Sequence, residues 1–287
     1  MAFFCGVSVR ILCCLLFLFA CNVYSQALQI GFDRSFIQGA LITGKTNALV
    51  MRVDKRDIAI DSDGRFVFGL GRNANSNVEL ELFGENGEQD RRIIAVQQRE
   101  YPLQRITGVE QKYVSPPPEV IARIRKDAQI VSEARQINRR DAYEYLMSAT
   151  WPAEGAVTGV YGSQRVFNGV PKRPHYGLDI AGPVGQAVFA PLSGKVTLAE
   201  PDLYYSGGTL IVDHGRGVSS TFIHLSKMHV DVGDYVQQGQ RIADIGASGR
   251  VTGPHLDWRL NWFDVRLDPE LILPERSDTQ QTVPKEP

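Results

Sequence analysis

All five histidines of the 287-residue chain (His175, His214, His224, His229 and His255) fall between residues 175 and 255. Three local patterns give that clustering chemical content. In His175-Tyr-Gly-Leu-Asp179 an imidazole and a carboxylate lie close enough in sequence to reach one cation if the backbone bends, and Gly177 permits a bend. The same five residues also suit an ordinary surface loop. Thr221-Phe-Ile-His224-Leu-Ser sets a histidine in an apolar strand, where a hydrogen-bonded core residue is the plainer reading. In Gly246-Ala-Ser-Gly-Arg-Val-Thr-Gly-Pro-His255-Leu-Asp257-Trp, a glycine-rich loop opens into His-x-Asp. Residues two apart on a strand share a face, so His255 and Asp257 address one site while Leu256 and Trp258 take the buried side. His214 reads as structural at a strand end, and His229 as part of an exposed turn.

The chemistry is narrowed by what is missing. The four cysteines (Cys5, Cys13, Cys14, Cys21) all lie in the first 21 residues. That stretch carries one charge, Arg10, followed by an apolar run over residues 11–20, and reads as a secretory signal peptide over 1–25. The run is too short to cross a bilayer, which takes about 20 residues. Cleavage after Val23-Tyr24-Ser25 leaves a mature chain without cysteine, excluding disulfide scaffolds, thiolate zinc sites and cysteine nucleophiles. Leu18-Phe19-Ala20-Cys21 resembles a lipoprotein box, the alternative in which Cys21 is acylated and anchors the protein to a membrane, although Phe19 is bulky for that box. Soluble export is the preferred reading, and any metal then sits on His, Asp or Glu. Thirty-one Lys plus Arg against 32 Asp plus Glu give a net charge of −1, which argues against a nucleic-acid partner.

Taken in order, these patterns resemble the lysostaphin-type, or LytM-like, zinc metalloendopeptidases that cleave peptidoglycan cross-links. The resemblance spans about residues 157–260 and includes Tyr161-Gly162, Pro191-Leu-Ser-Gly-Lys-Val196, His214-Gly215 and Val232-Gly-Asp-Tyr-Val-Gln-Gln-Gly239. It implies a duplicated-hybrid-motif fold, peptidoglycan as substrate, a periplasmic or cell-envelope location, and zinc on His175, Asp179 and the position held by Asp257. In the family that third ligand is a histidine. The resemblance also implies that His255 and His224 flank the attacking water, His255 as general base and His224 as donor to the developing oxyanion. A carboxylate is a legitimate zinc ligand. Two carboxylates with one imidazole would neutralise the dication, however, so the expectation is a slower enzyme with an alkaline-shifted profile or a tolerance for manganese. The competing reading is a catalytically impaired relative that binds the cell wall or activates a peptidoglycan amidase. A purely structural zinc site is disfavoured because such sites close with four protein ligands.

The elements that must position these residues are mainly β. Residues 26–101 read as a small β-sandwich: Val78-Glu-Leu-Glu-Leu82 alternates strictly, and Asp61-Ser-Asp-Gly64 between Ile58-Ala-Ile60 and Phe66-Val-Phe68 predicts a hairpin. Residues 102–150 form a linker with Ser115-Pro-Pro-Pro118, then a helical pattern from Val120 to about Tyr145 whose arginines, interspersed with acids, read as a solvated face. Residues 151–274 form the antiparallel β metallopeptidase domain that the resemblance implies. Within it Lys195–198, Gly208–212 and Gln240–243 read as strands, and residues 275–287 as a disordered tail.

Overall fold

The computed structural model describes residues 27–276, so the signal-peptide reading, Cys21 and nearly all of the tail lie outside the described residues. The N-terminal unit consists of two antiparallel sheets. One orders Ile30–Phe32, Leu41–Thr46 and Arg65–Gly69; the other orders Arg56–Ile58, Val50–Val53, Asn77–Phe83 and Gln89–Ala95. Val78, Leu80 and Leu82 are buried on one face of their strand, as the alternation predicts, and pack in one cluster with Met51, Phe66 and Phe68. The expected hairpin is not formed. Arg56–Ile58 pairs with Val50–Val53, whereas Arg65–Gly69 pairs with Leu41–Thr46 in the other sheet. The Asp-Gly turn is real, closed by Gly64 N–H to the Asp61 carbonyl at 3.0 Å, but it carries the chain across the sandwich. Turn chemistry specifies a reversal and leaves open which strand is the partner.

The predicted helix is shorter than its pattern, running Ile121–Gln136. Beyond it Arg139 donates to the Asp213 carboxylate at 2.6 Å and to the Asp213 carbonyl at 2.8 Å, and this attachment to the sheet replaces further helical turns. The reading of its arginines as a solvated face fails at Arg135, which is 7% exposed and donates to Thr221 Oγ1. Ala134, with Ile130 and Val131, packs on Leu198, Leu203 and Ile211, so the helix covers part of the C-terminal sheet. The linker also contributes an unanticipated strand, Leu103–Ile106, parallel to Gln164–Phe167.

The C-terminal sheet runs Tyr235–Val236, Gly194–Leu203, Gly207–Asp213, Val218–Met228, His255–Trp262, Leu178–Ala181 and Val157–Gly159. A second layer pairs Ala187–Phe189 with Arg241–Ile245. Val218–Met228 joins both layers: it pairs with His255–Trp262 up to Ile223, and with Arg241–Ile245 from Leu225. His224 sits at the point where the partner changes. The two units share one continuous core, in which Trp262 and Leu267 pack with the N-terminal strands. Arg99 seals the junction with a 2.7 Å bond to the buried Asp268 carboxylate. No helix among the described residues is long and apolar enough to cross a membrane.

Candidate metal centre

Register assembles the centre. Asp179 and Asp257 are direct cross-strand partners, Ala181 is opposite His255, and Ile223 lies across Asp257 on the other side. His175 enters from the preceding loop, where its N–H bonds the Ser163 carbonyl and its carbonyl receives Gly162 N–H, both at 2.8 Å. His175, Asp179 and Asp257 are all buried, with one ligand atom from each lying within 4.8 Å of the others. As predicted, Leu256 and Trp258 occupy the opposite face and are fully buried.

Two glycines make room for the carboxylates. A Cβ on Gly177 would lie 2.1 Å from Asp257 Oδ1, and one on Gly159 would lie 2.3 Å from Asp179 Oδ2. Gly177 is therefore needed for close approach; unlike many glycines of this chain it has no positive φ, so the bend expected there is not its reason.

Like charges placed directly opposite on a sheet repel, and the structure supplies a guanidinium for each. Arg165 Nη2 bonds Asp179 Oδ2, and Arg259 grips both oxygens of Asp257, Nε to Oδ1 at 3.0 Å and Nη2 to Oδ2 at 2.6 Å. Burial alone would raise the Asp257 carboxyl pKa; Arg259 and His175 outweigh it and hold the group well below the usual carboxylate range. Asp179 is lowered likewise against its burial, by His175 and Arg165. Each carboxylate thus already carries an arginine, so the pair would neutralise a bound dication less fully than two carboxylates alone. Sequence reasoning missed both arginines. Arg259 was legible, being two residues beyond Asp257 on the same strand face; Arg165 has no local signal.

A divalent ion fits the donor set. Both ring nitrogens of His175 and Oδ1 of Asp179 are buried without a hydrogen-bond partner. His175 Nε2 and Asp179 Oδ1 lie 3.1 Å apart, the separation expected of two ligands each about 2.0–2.2 Å from one zinc ion. Asp257 Oδ2 is 4.0 Å from His175 Nδ1. Its oxygens each accept one bond from Arg259, and a carboxylate has about four lone-pair sites, so it retains acceptor capacity for a metal. Such bonds to a ligating carboxylate are the usual way its orientation is fixed.

The two remaining imidazoles border this trio. Their ring centroids are 4.9 Å apart, and His255 Nε2 is 3.9 Å from Asp179 Oδ1. His224 Nδ1 bonds the Ser248 carbonyl at 2.8 Å and His255 Nδ1 the Gly253 carbonyl at 2.9 Å. Carbonyls only accept, so each ring carries its proton on Nδ1 and keeps a lone pair on Nε2. Burial pushes His224 down to about 4, so near neutral pH it is an acceptor at Nε2. The donor role implied for His224 therefore requires it to take a proton first. His224 also has φ +67°, a left-handed conformation rare for a non-glycine residue and often found at functional positions. His214 is structural, as expected: fully buried, it bonds the Ser193 carbonyl and Ser220 Oγ at 2.7 and 2.8 Å. His229 is exposed at a bend after its strand, as expected, and bonds Asp244 Oδ1 at 2.9 Å.

Comparison with known proteins agrees with this geometry. Residues 173–269 match the sequence profile of peptidase family M23. Peptidoglycan DD-endopeptidase ShyA of Vibrio cholerae is 29% identical over 184 residues, 62% of this chain and 41% of the relative. Murein hydrolase activator NlpD of Escherichia coli is 31% identical over 126 residues, 44% of this chain and 31% of the relative. The chain thus spans less than half the length of these curated relatives. A crystal structure from Pseudomonas aeruginosa, solved as a candidate peptidase M23, superposes with a TM-score of 0.63 at 25% identity, covering 84% of this chain and 96% of that one. The loop that carries His175 and the strands that carry Asp179, His224, His255 and Asp257 all lie within the matched segment, so residues 173–269 form a peptidase M23 domain similar to those of the LytM-like peptidoglycan peptidases.

Proposed function

We propose that this protein is an exported metal-dependent endopeptidase that hydrolyses amide bonds in peptidoglycan stem peptides or cross-links, with His175, Asp179 and Asp257 holding zinc. The observation that carries the reading is the set of orphaned, buried atoms on His175 and Asp179, facing each other at 3.1 Å beside two imidazoles with free Nε2 atoms. An ion held there would polarise the scissile carbonyl and make an attacking water more acidic. The protein's own part is proton handling. His224 and His255 both present Nε2 acceptors to the space beside the ligands, so one of them takes the water's proton. Once protonated, that ring donates from Nε2 to the developing oxyanion and then to the leaving amine. The Ser248 and Gly253 carbonyls hold the rings in the orientation this exchange needs. Export to the periplasm or cell envelope fits this substrate.

A second reading has one observation in its favour: the two-pronged Arg259 bond satisfies Asp257 without any metal. In that case the protein is a non-catalytic module that binds the wall or activates an amidase; the relative from Escherichia coli is named a murein hydrolase activator. Incubating purified protein with isolated peptidoglycan separates the two. The proposed function predicts release of soluble peptide fragments by the wild type and none by His255→Ala. Release of nothing by a wild type that carries zinc would refute it.

A further inference from the structure

Around the candidate centre cations outnumber anions, although the chain as a whole has a net charge of −1. Arg259 and Thr221 are register partners, and Arg135 reaches Thr221 Oγ1 from the covering helix at 3.1 Å. Arg266 lies across from Asn261, two residues beyond Arg259, and donates to its Oδ1 at 3.3 Å. Arg250 enters from the glycine-rich loop whose Ser248 carbonyl holds His224. Its guanidinium lies over the rings of Phe167 and Tyr205, at 5.0 and 4.8 Å. The carboxylates acting on Arg250, Arg259 and Arg266 are Asp179 and Asp257, already engaged by Arg165 and Arg259, joined by the phenols of Tyr205 near Arg250 and Tyr176 near Arg266. Burial, and then the charge of Arg259, pushes Arg250 and Arg266 each down to about 10. A resident dication would add to the imbalance.

Arg250 and Arg266 differ from the others in combining two features. Each is partly exposed, unlike Arg135, and among the described residues neither has a carboxylate partner, unlike Arg165 and Arg259. A guanidinium carries five N–H donors arranged to match a carboxylate, and stacking on aromatic rings leaves those donors unused. We propose that Arg250 and Arg266 form a carboxylate-recognition subsite, so that the centre selects acidic peptides with free carboxylates near the scissile amide. This inference rests on the peptidase reading above and assigns its substrate class: an anionic peptide in preference to a neutral one of the same shape.

The test uses the full-length exported protein as purified, inactivated by His255→Ala so that binding is read without turnover. Its probes are a synthetic cross-linked peptide with free carboxylates and the same peptide with those carboxylates amidated. The expected result is that the free acid binds about tenfold or more tightly, one charge-assisted bond being enough for that difference. Arg250→Gln and Arg266→Gln should each reduce this preference, while Arg→Lys at either position should restore part of it. Equal binding of the two peptides, or a preference unchanged in both Gln variants, overturns the subsite and leaves the peptidase reading standing. If neither peptide binds and the wild type cleaves neither, the peptidase reading falls and the subsite with it.

Discussion

The two β units of this chain bury polar groups in different ways. In the N-terminal sheets the buried polar residues are Gln38, Thr43 and Thr46, all neutral and all hydrogen-bonded: Gln38 to Ala74 and Gln98, Thr43 to Asp33, Thr46 to Gln29. In the C-terminal sheet they include His175, Asp179, His224 and Asp257, and three atoms among them have no partner. Neutral, satisfied groups add specificity to packing at little cost, whereas burying charged or unpartnered groups costs several kcal/mol unless something compensates. The C-terminal sheet gathers such groups around the trio of His175, Asp179 and Asp257. Thr197 Oγ1, Ser219 Oγ and, in the N-terminal unit, Asp61 Oδ2 are also buried without a hydrogen-bond partner. The concentration at the trio points to function better than the shape of either sheet.

The sharpest way to break the comparison is to remove the proton-handling imidazoles. His224→Ala or His255→Ala should lower the rate of peptide release by about 10²–10⁴-fold, the usual contribution of a positioned acid or base. Bound metal should persist, since neither residue is a proposed ligand. A variant that lost its metal as well would make that histidine a ligand.

Core substitutions separate the units next. Phe66→Ala should cost about 3–5 kcal/mol in chemical denaturation, as a large-to-small change in a packed core, with metal stoichiometry unchanged in the folded fraction. Asp257→Ala should also destabilise, by about 3 kcal/mol, because it strands the Arg259 guanidinium that the carboxylate neutralised. Unlike Phe66→Ala it should abolish metal binding. Should Phe66→Ala release metal too, the centre would depend on the N-terminal unit and the distinction would collapse.

His214 gives the comparison a pH dependence. Burial holds it at about 4 in the folded chain, below its ordinary value of 6.5. Protonation therefore favours the unfolded chain: the contribution to stability is complete above about pH 6.5 and is lost as pH falls from there towards 4, in all about 3 kcal/mol. His214→Gln should flatten that part of a stability profile measured between pH 7 and 4. An unchanged slope would place the acid sensitivity elsewhere.

The smallest expected effect tests close approach. Gly177→Ala puts a methyl group 2.1 Å from Asp257 Oδ1, so the carboxylate must shift. Metal affinity should fall by about 10–100-fold, as when a ligand loses its support, with the fold intact by circular dichroism. Unaltered affinity would show that Asp257 can move without consequence for the metal.

Much of this arrangement was legible in the residues. The alternation of Val78 to Leu82 gave the right buried face, and the two-residue spacing of His255 and Asp257 gave a shared face that register then set opposite Asp179. What was hidden depends on contacts distant in sequence. No local pattern links Arg165 to Asp179, or joins Leu103–Ile106 to Gln164–Phe167. The helix looked longer than it is because Arg139 is drawn to Asp213, and the false hairpin arose because a turn signal does not name a partner sheet. The tautomers of His224 and His255 rest on the Ser248 and Gly253 carbonyls, which a motif cannot specify.

Metal content by mass spectrometry on the mature wild-type protein beside Asp257→Ala tests the central claim most directly. The account predicts close to one zinc, or manganese, per wild-type chain and almost none in the variant. A wild type that remains metal-free after incubation with zinc would contradict it, and would mean that Arg259 is the permanent partner of Asp257.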